Sequence, residues 1–579
     1  DYKTSKSFKE LVDSDKHFLE YVALASKIEG LPRQAGLHAA RIIINDSPLE
    51  DSLPVMVSEG IGSVACLEKD YLEEQGFLKM DILGLTNLSI VDHVIALIKK
   101  TQGIELDYQS LPYEDPASIA TICSGKTMGL FQLESAGMKK AIRLVQPSSF
   151  QDVAALLALF RPGPMDSIAS YARRKHGQER VIYLSSELEP ILKETYGIIV
   201  YQEQIMQIVK VMAGFSNGQA DLFRRAISKK DMAKLEAQKE QFINGCLANG
   251  KSLQLANKVF DLIFRFANYG FNKAHAYSYG VLTCQMAYLK TNYPREFYSV
   301  ILGSQDPGTT KFKDMLSEVK ALNLHLGVPD INRSEEGFVT EGNTIRFPLS
   351  AIKGIGGMLA SAILDERRKN GDFADIFDFA ARLKPYGLNL SLLVRLIDAG
   401  AFDSLCDSRA SLRASAPSAM SYSEMMFGEN GQQLLIDIGI EKPSMSVMSD
   451  DVRSNLAYEY EALGIMVSGS PLSFYKEKLE RMDLTPLTDL QSKSGSFWTA
   501  GIVKSIRAIN TKNGKKMAFM ELYDDLGEAS FILFHDVFNN NFTLLKQDAP
   551  LYVKARLEAR RDNTGETSFI VEEVHNLGE

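Results

Sequence analysis

The side-chain pattern changes period several times along the chain, so one hydrophobic core cannot serve all of it. Residues 5 to 28 carry apolar residues at Phe8, Leu11, Phe18, Val22 and Leu24, the spacing of an amphipathic helix. From Ala40 to Asp81 short β-like runs take over: Arg41-Ile42-Ile43-Ile44, Pro54-Val55-Met56-Val57, and Phe77 to Leu83. Residues 87 to 320 return to a mostly helical pattern, punctuated at Arg161-Pro162-Gly163-Pro164 and Tyr269-Gly270-Phe271. Short helices between glycines are expected over 346 to 402. The stretch 404 to 456, rich in Ser, Met and Asp, reads as a linker or mobile surface. From Phe497 alternation returns, with turns at Asn513-Gly514 and Asp525-Leu526-Gly527, as in a small antiparallel barrel. A chain of 579 residues with this patterning is a multidomain α+β protein.

Composition narrows the setting. The longest purely apolar run, Val153 to Phe160, falls far short of the roughly 20 residues that span a bilayer, so no membrane is expected. No signal peptide is visible. Five scattered cysteines, without a CxxC pair or His/Cys cluster, suit reduced thiols in a cytoplasmic protein without zinc. Sixty-four Lys plus Arg against 73 Asp plus Glu give a net charge of −9, which at first speaks against nucleic acid. The window Lys139 to Arg180 runs the other way, with eight basic residues against three acidic ones. A basic face on an acidic chain suits a polyanion bound at a defined place, and it equally fits a solvated helix face. The chain starts at Asp1 without an initiator Met, as a processed or cut segment would.

Three local patterns carry chemistry. In Phe77-Leu78-Lys79-Met80-Asp81-Ile82-Leu83-Gly84-Leu85, strand alternation puts Lys79 and Asp81 on one face and Leu78, Met80 and Ile82 on the other. An ammonium beside a carboxylate suits a metal–phosphate site, or a simple strand-end ion pair. In Asp221-Leu222-Phe223-Arg224-Arg225-Ala226-Ile227-Ser228-Lys229-Lys230, guanidinium groups share a helix surface where they could clamp phosphates, or could be an ordinary basic face. In Gly270-Phe271-Asn272-Lys273-Ala274-His275-Ala276-Tyr277, a glycine turn opens a helix whose first turn carries Asn, Lys and His beside aromatic rings. Helix N-termini attract anions, and rings give bases a surface to stack on.

Six segments together resemble signature segments of the family C replicative DNA polymerases of bacteria. They are Leu78 to Leu85, Gly129-Leu130-Phe131-Gln132-Leu133-Glu134-Ser135, Leu159-Phe160-Arg161-Pro162-Gly163-Pro164, Thr195 to Gln204, Arg224-Arg225-Ala226 and Gly270 to His275. Their order matches the alpha-subunit branch of that family, and the likeness runs from about Gly30 to the C-terminus. The resemblance implies a partial beta-type nucleotidyltransferase palm, mostly helical fingers, tandem helix-hairpin-helix units and a C-terminal OB-fold. It divides the chain into the end of a thumb (1–33), later palm strands with Asp81 (34–86), fingers (87–345), hairpin region (346–420), clamp-binding peptide and linker (421–484) and OB-fold (485–579). It implies template-directed DNA synthesis, with two magnesium ions assisting attack of a primer 3′-hydroxyl on a dNTP. Asp81 would be one of three metal-binding aspartates; Lys79, Arg224, Arg225, Asn272, Lys273 and His275 would meet the nucleotide. Primer-template and single-stranded DNA, dNTP, the sliding clamp and other replisome subunits are the implied partners.

The sequence departs from that pattern in one respect. The palm also needs a Pro-Asp-x-Asp-x-Asp-like strand and a Gly-Ser phosphate loop before Asp81, and neither occurs in residues 1 to 80. The carboxylates Asp372, Asp375 and Asp378 lie far downstream and read as solvated surface. The N-terminal phosphoesterase-like domain is absent as well, so this chain alone is expected to be inactive. The alternative is a DNA-binding or clamp-binding scaffold without catalysis. Ala351-Ile352-Lys353-Gly354-Ile355-Gly356-Gly357 resembles a hairpin that offers backbone amides to a DNA phosphate, with a second copy at Leu392 to Phe402. In the OB-fold Lys504, Arg507, Lys515, Lys516 and Phe534 are the candidate DNA contacts. Ser423-Glu424-Met425-Met426-Phe427 stands where the clamp peptide is expected, with Met426 and Phe427 as its anchors. Gln432-Gln433-Leu434-Leu435 is a second candidate.

Overall fold

The structure is a computed structural model that describes residues 2, 5–31, 40–58, 62–82, 84–228, 232–267, 270–426, 441–487, 490, 495–510, 515–524, 527–559 and 567–578. The chain divides into two units, Asp1–Thr86 and Asn87–Glu579. In the first, the helix expected over 5 to 28 is two, Lys6–Asp13 and Lys16–Ile28. The break falls at Asp15, whose carboxylate accepts from the His17 amide at 2.9 Å and caps the second helix. Four short strands follow: β1 (Arg41–Ile44), β2 (Val55–Ser58), β3 (Gly62–Ala65) and β4 (Leu78–Asp81). β1 pairs antiparallel with β4, setting Arg41 opposite Asp81, Ile42 opposite Met80 and Ile44 opposite Leu78. β2 and β3 form a separate hairpin. The apolar face Ile42, Ile44, Leu78 and Met80 is at least 45% exposed, and the buried hydrophobic side chains described in this unit are Val12, Leu53 and Leu72. Such a ribbon has no core of its own.

The second unit opens with a helical layer built on the 20-residue helix Lys273–Asn292. Its Gly280 lets it approach the helix Phe150–Leu159, where a Cβ would meet the Phe150 ring at 3.1 Å. Four more helices, Gln202–Ala213, Asn217–Ser228, Met232–Ala248 and Leu253–Ala267, close around Phe215, Phe223, Phe242 and Phe260. The rings of Phe223 and Phe260 meet edge to face at 6.3 Å. A small sheet of β5 (His325–Gly327), β6 (Val339–Glu341) and β7 (Thr344–Arg346) comes next. Short helices Gly357–Asn370, Ile376–Leu383 and Leu390–Asp398 then appear, as the glycine spacing led one to expect.

The stretch 404 to 456 is only in part the linker it reads as: 441–451 lack regular secondary structure, and 427–440 lie outside the described residues. It contains the helix Arg409–Met426 and begins another, Val452–Leu463. Leu412, Ser415, Ala416, Ala419, Met420 and Ser423 are buried at helical spacing. Two of these are serines whose hydroxyls turn back to the helix, Ser415 onto Ser411 O at 2.8 Å and Ser423 onto Met420 O at 2.6 Å. Serine therefore does the work of a small core residue, which masks the period. Buried Arg409 fixes the helix start, with bonds to Asp403 at 2.9 and 2.6 Å and to Glu459 at 2.8 Å.

The C-terminal strands β8 (Ser496–Asn510), β9 (Lys516–Tyr523), β10 (Glu528–Leu533), β11 (Pro550–Ala559) and β12 (Thr567–Asn576) form a closed barrel in the order β10-β12-β11-β8-β9. Along β9, Ala518, Met520 and Leu522 point inward and are fully buried. The barrel is not wholly antiparallel: β10 and β12 close it in parallel, Phe531 beside Phe569. Strand direction cannot alternate all the way round a ring of five, so one pair must be parallel; the helix His535–Asn540, with Phe538 buried, carries the crossover from β10 to β11. The two predicted hairpin turns fall largely outside the described residues.

Candidate functional site

The strongest cluster of the expected side chains lies in the second unit, where Thr195–Gln204 meets Gly270–His275. The Phe271 amide bonds Val200 O and the Gln202 amide bonds Phe271 O, both at 2.9 Å, which ties the segments together across 70 residues of sequence. Three consecutive polar side chains then divide the labour. Gln202 donates to Gly270 O at 3.1 Å and accepts from Arg224 Nη1 at 3.1 Å. Glu203 accepts from Asn272 Nδ2 at 3.1 Å and from the Lys273 amide at 2.9 Å. Buried Gln204 takes the Val200 and Tyr201 amides at 2.9 and 3.0 Å and donates to Thr195 Oγ1 and Ile191 O. The loop it braces holds Tyr196 at φ +50°, a left-handed conformation that only such bracing sustains.

Asn272 caps the long helix, its side chain accepting from the His275 amide at 2.8 Å. The Lys273 ammonium sits on both oxygens of Glu194, at 2.7 and 2.9 Å, and within 5.1 Å of the Tyr277 ring centre. Partial burial works against that charge, yet Glu194 outweighs it and holds the lysine above its usual pKa. Arg224 bonds Asp221 at 3.0 and 2.8 Å, and Arg225 reaches the other oxygen of Asp221 at 2.8 Å. Hydrogen bonding from Arg224 outweighs partial burial and keeps the Asp221 carboxyl below its usual range. The exposed His275 ring lies 4.0 Å from Tyr279 and 5.3 Å from Phe271. Arg161 stacks its guanidinium 4.3 Å over the Phe271 ring. Arg224, Asn272, Lys273 and His275 are thus brought together, with Arg225 at the position next to Arg224; Lys229, Lys230 and Tyr269 lie outside the described residues. Reading the sequence did not single out Arg161, Glu194, Glu203 or Asp221 as site residues, although Arg161, Glu203 and Asp221 stand inside the quoted segments and Glu194 immediately precedes one of them.

In the first unit Lys79 and Asp81 share a face of β4, as alternation requires. Asp81 forms a 2.6 Å ion pair with Arg41 directly across the ribbon. Among the described residues no three His, Cys, Asp or Glu side chains come together to hold a metal ion. One carboxylate already paired with an arginine does not fit a pair of Mg2+ ions, so the described residues do not make a metal site by themselves.

The remaining candidates are spread along the second unit. Gly354 turns at φ +89°, and a Cβ at Gly354, Gly356 or Gly357 would meet nothing within 4 Å. That turn is open, although the Lys353 amide already bonds Ala462 O at 2.9 Å. The second hairpin-like segment differs: a Cβ on Gly400 would strike Arg409 Nη2 and lie 2.9 Å from Asp403, so its turn is closed by the chain itself. In the barrel Arg507, Lys515 and Lys516 are exposed and Phe534 is 49% exposed, whereas Lys504 pairs with Glu528. Glu528 also takes Tyr460 at 2.9 Å and Lys313 at 3.3 Å, and despite partial burial these bonds depress its pKa to about 2. Met426 ends its helix, while Phe427 and Gln432 to Leu435 lie outside the described residues. Among the described residues no helix is long and apolar enough to cross a membrane.

Comparison with known proteins gives a family model along most of the chain. The bacterial DNA polymerase III alpha NTPase domain matches residues 1–84, the finger domain of the same subunit 87–250, a helix-hairpin-helix motif 323–412 and an OB-fold nucleic acid binding domain 497–577. The chain belongs to the family of bacterial DNA polymerase III alpha subunits. It is 38% identical to DNA polymerase III subunit alpha of Bacillus subtilis (strain 168) over 93% of its own length and 49% of that protein. The Thermus aquaticus subunit is 38% identical over 94% of this chain and 46% of its own length. The Aquifex aeolicus subunit is 36% identical over 98% and 48%. The chain therefore spans about half the length of the curated relatives it matches.

Proposed function

We propose that this chain is the nucleotide- and DNA-gripping part of a replicative DNA polymerase, one that works by template-directed transfer of a nucleotide to a primer 3′-hydroxyl. The observation that carries the reading is the convergence of Arg224, Asn272, Lys273 and His275 around Gln202 and Glu203. Guanidinium and ammonium groups beside a helix N-terminus are donors for a triphosphate, and the rings of Phe271 and Tyr279 offer a base a place to stack. Arg225 adds charge from the next position. Lys79 and Asp81 serve the same reaction, Asp81 as one of the carboxylates for divalent metal.

The described residues do not fit the metal ions alone. The bare apolar face of Ile42, Ile44, Leu78 and Met80 supports the further reading that palm strands beyond these four complete the sheet and supply the other carboxylates. Arg41 would then give up Asp81 to the metal. The open Gly354–Gly357 turn, with Lys353 beside it, contacts a DNA phosphate, and Lys515 and Lys516 of the barrel contact single-stranded DNA. Lys504, held by Glu528, contributes there only if that pair opens. Met426, the last residue of its helix, and Phe427 would anchor the sliding clamp. Equilibrium binding of dNTP to this chain tests the reading: Lys273→Ala should weaken it at least about tenfold, the worth of one charge-assisted bond. Binding unchanged by that variant would favour the scaffold reading instead.

A further inference from the structure

Arg224, Arg225, Asn272 and Lys273, assigned to the triphosphate, are each already held by a carboxylate of the same chain. Both oxygens of Glu194 hold the Lys273 ammonium at 2.7 and 2.9 Å. Glu203 holds the Asn272 side chain and the Lys273 amide, at the N-terminus of the 20-residue helix where a phosphate would gain most from the helix dipole. Asp221 holds Arg224 and Arg225 with one oxygen each. Three cations, Arg224, Arg225 and Lys273, face three carboxylates, so these six groups carry no net charge between them; Arg161, stacked over Phe271, adds a positive charge beside them. The pairs are not sealed: the side chains of Lys273 and Glu194 are 32% and 31% exposed, and those of Arg224 and Asp221 are 26% and 33% exposed. Ion pairs so wetted are cheap to open.

We propose that Glu194, Glu203 and Asp221 are internal stand-ins for phosphate: they hold the donors in place in the empty site, and a triphosphate binds by exchanging with them. The inference rests on the triphosphate reading of Arg224, Arg225, Asn272 and Lys273. Exchange does two things that a bare basic cluster would not. It keeps the arginines and the lysine oriented before nucleotide arrives, which lowers the ordering cost of binding. It also selects by charge number, because a single phosphate can replace one carboxylate but only a triphosphate can replace all three at once. Glu194, Glu203 and Asp221 are therefore positioning and specificity residues, acting through the cations they hold.

The experiment is equilibrium binding of dATP, dAMP and inorganic tripolyphosphate to this chain and to its Glu194→Gln, Asp221→Asn and double variants, with thermal melting of each alongside. Both substitutions keep shape and remove charge. Exchange predicts that each single variant binds dATP and tripolyphosphate about fivefold more tightly, the double variant more tightly still, with dAMP gaining enough to narrow the preference for triphosphate. A merely structural role predicts a lower melting temperature and weaker binding, and that result overturns the proposal. So does binding unchanged in all three variants. Lys273→Ala separates the two levels of the argument. If it weakens dATP binding while the carboxylate variants fail to strengthen it, exchange alone is wrong; if it leaves dATP binding at the wild-type value, the assignment of the site falls and exchange with it. Should Glu194→Gln fail to fold, Asp221→Asn at its half-buried position decides the matter.

Discussion

Gly356→Ala separates what the hairpin turn does for folding from what it does for DNA. Gly356 sits at φ −70° as the N-cap of the helix Gly357–Asn370, a conformation open to any residue, and its added Cβ meets nothing within 4 Å. Replacing glycine by alanine at an N-cap costs at most about 1 kcal/mol, so the chain should fold and melt almost as before. The methyl group would instead stand where a DNA phosphate must approach the amides of Gly356 and Gly357, which are first-turn donors without helical partners. Each amide–phosphate bond lost costs about 1.5–3 kcal/mol, so one bond lowers duplex affinity roughly tenfold to a hundredfold. Fluorescence anisotropy with a labelled duplex across a salt series is the assay, and the salt slope should also fall by about one phosphate. Gly400→Ala is the contrast, since its Cβ collides with Arg409 and its φ is +82°. That variant should lose stability, by several kcal/mol on overpacking and left-handed strain together, with DNA affinity following only through unfolding. Duplex affinity of Gly356→Ala within twofold of wild type would refute the phosphate contact.

Arg224→Ala should weaken dNTP binding by about 1.5–3 kcal/mol while duplex affinity stays within threefold, measured by equilibrium titration. Glu528→Gln unclasps the barrel from Tyr460 and Lys313. The folded-state pKa of Glu528, about 2, lies below the 4.5 of a free glutamate, so its contribution is full above that value and is lost as pH falls from 4.5 toward 2. With the side chain 31% exposed, the loss is discounted to about 1–2 kcal/mol, and the variant should lose wild type's extra acid sensitivity in that window by thermal melting. Changing Met426 and Phe427 together to Ala should abolish capture by the sliding clamp in a pull-down, because a short peptide anchors through its apolar pair.

The sequence made the repeating patterns legible and the long-range partners invisible. Strict alternation announced β9 and the barrel, and Gly270 marked the start of the helix Lys273–Asn292. The helix Arg409–Met426 escaped because Ser415 and Ser423 fill core positions that a hydrophobic pattern leaves blank. β3 escaped because Gly62-Ser63-Val64-Ala65 is too short and small-sided to mark a strand. The cations of the site could be chosen from local composition, yet their counter-ions could not: Glu194 stands 79 residues from Lys273, and Arg41 stands 40 from Asp81. Only the fold brings such pairs together, and it changes their meaning from exposed charge to held charge. The same holds for Gly400, a turn glycine that looks available until Arg409 is seen lying against it.

Gripping and transfer are separable functions of this polymerase, and primer extension tests that division most directly. The chain of 579 residues should bind primed DNA in a salt-dependent way and incorporate no nucleotide at any Mg2+ concentration, because Asp81 alone cannot position two divalent ions. The same residues within a chain that also carries the aspartate-bearing palm strand should extend the primer, and Asp81→Asn there should cut turnover by at least about a thousandfold. Extension by the 579-residue chain itself, free of other polymerases, would contradict the account.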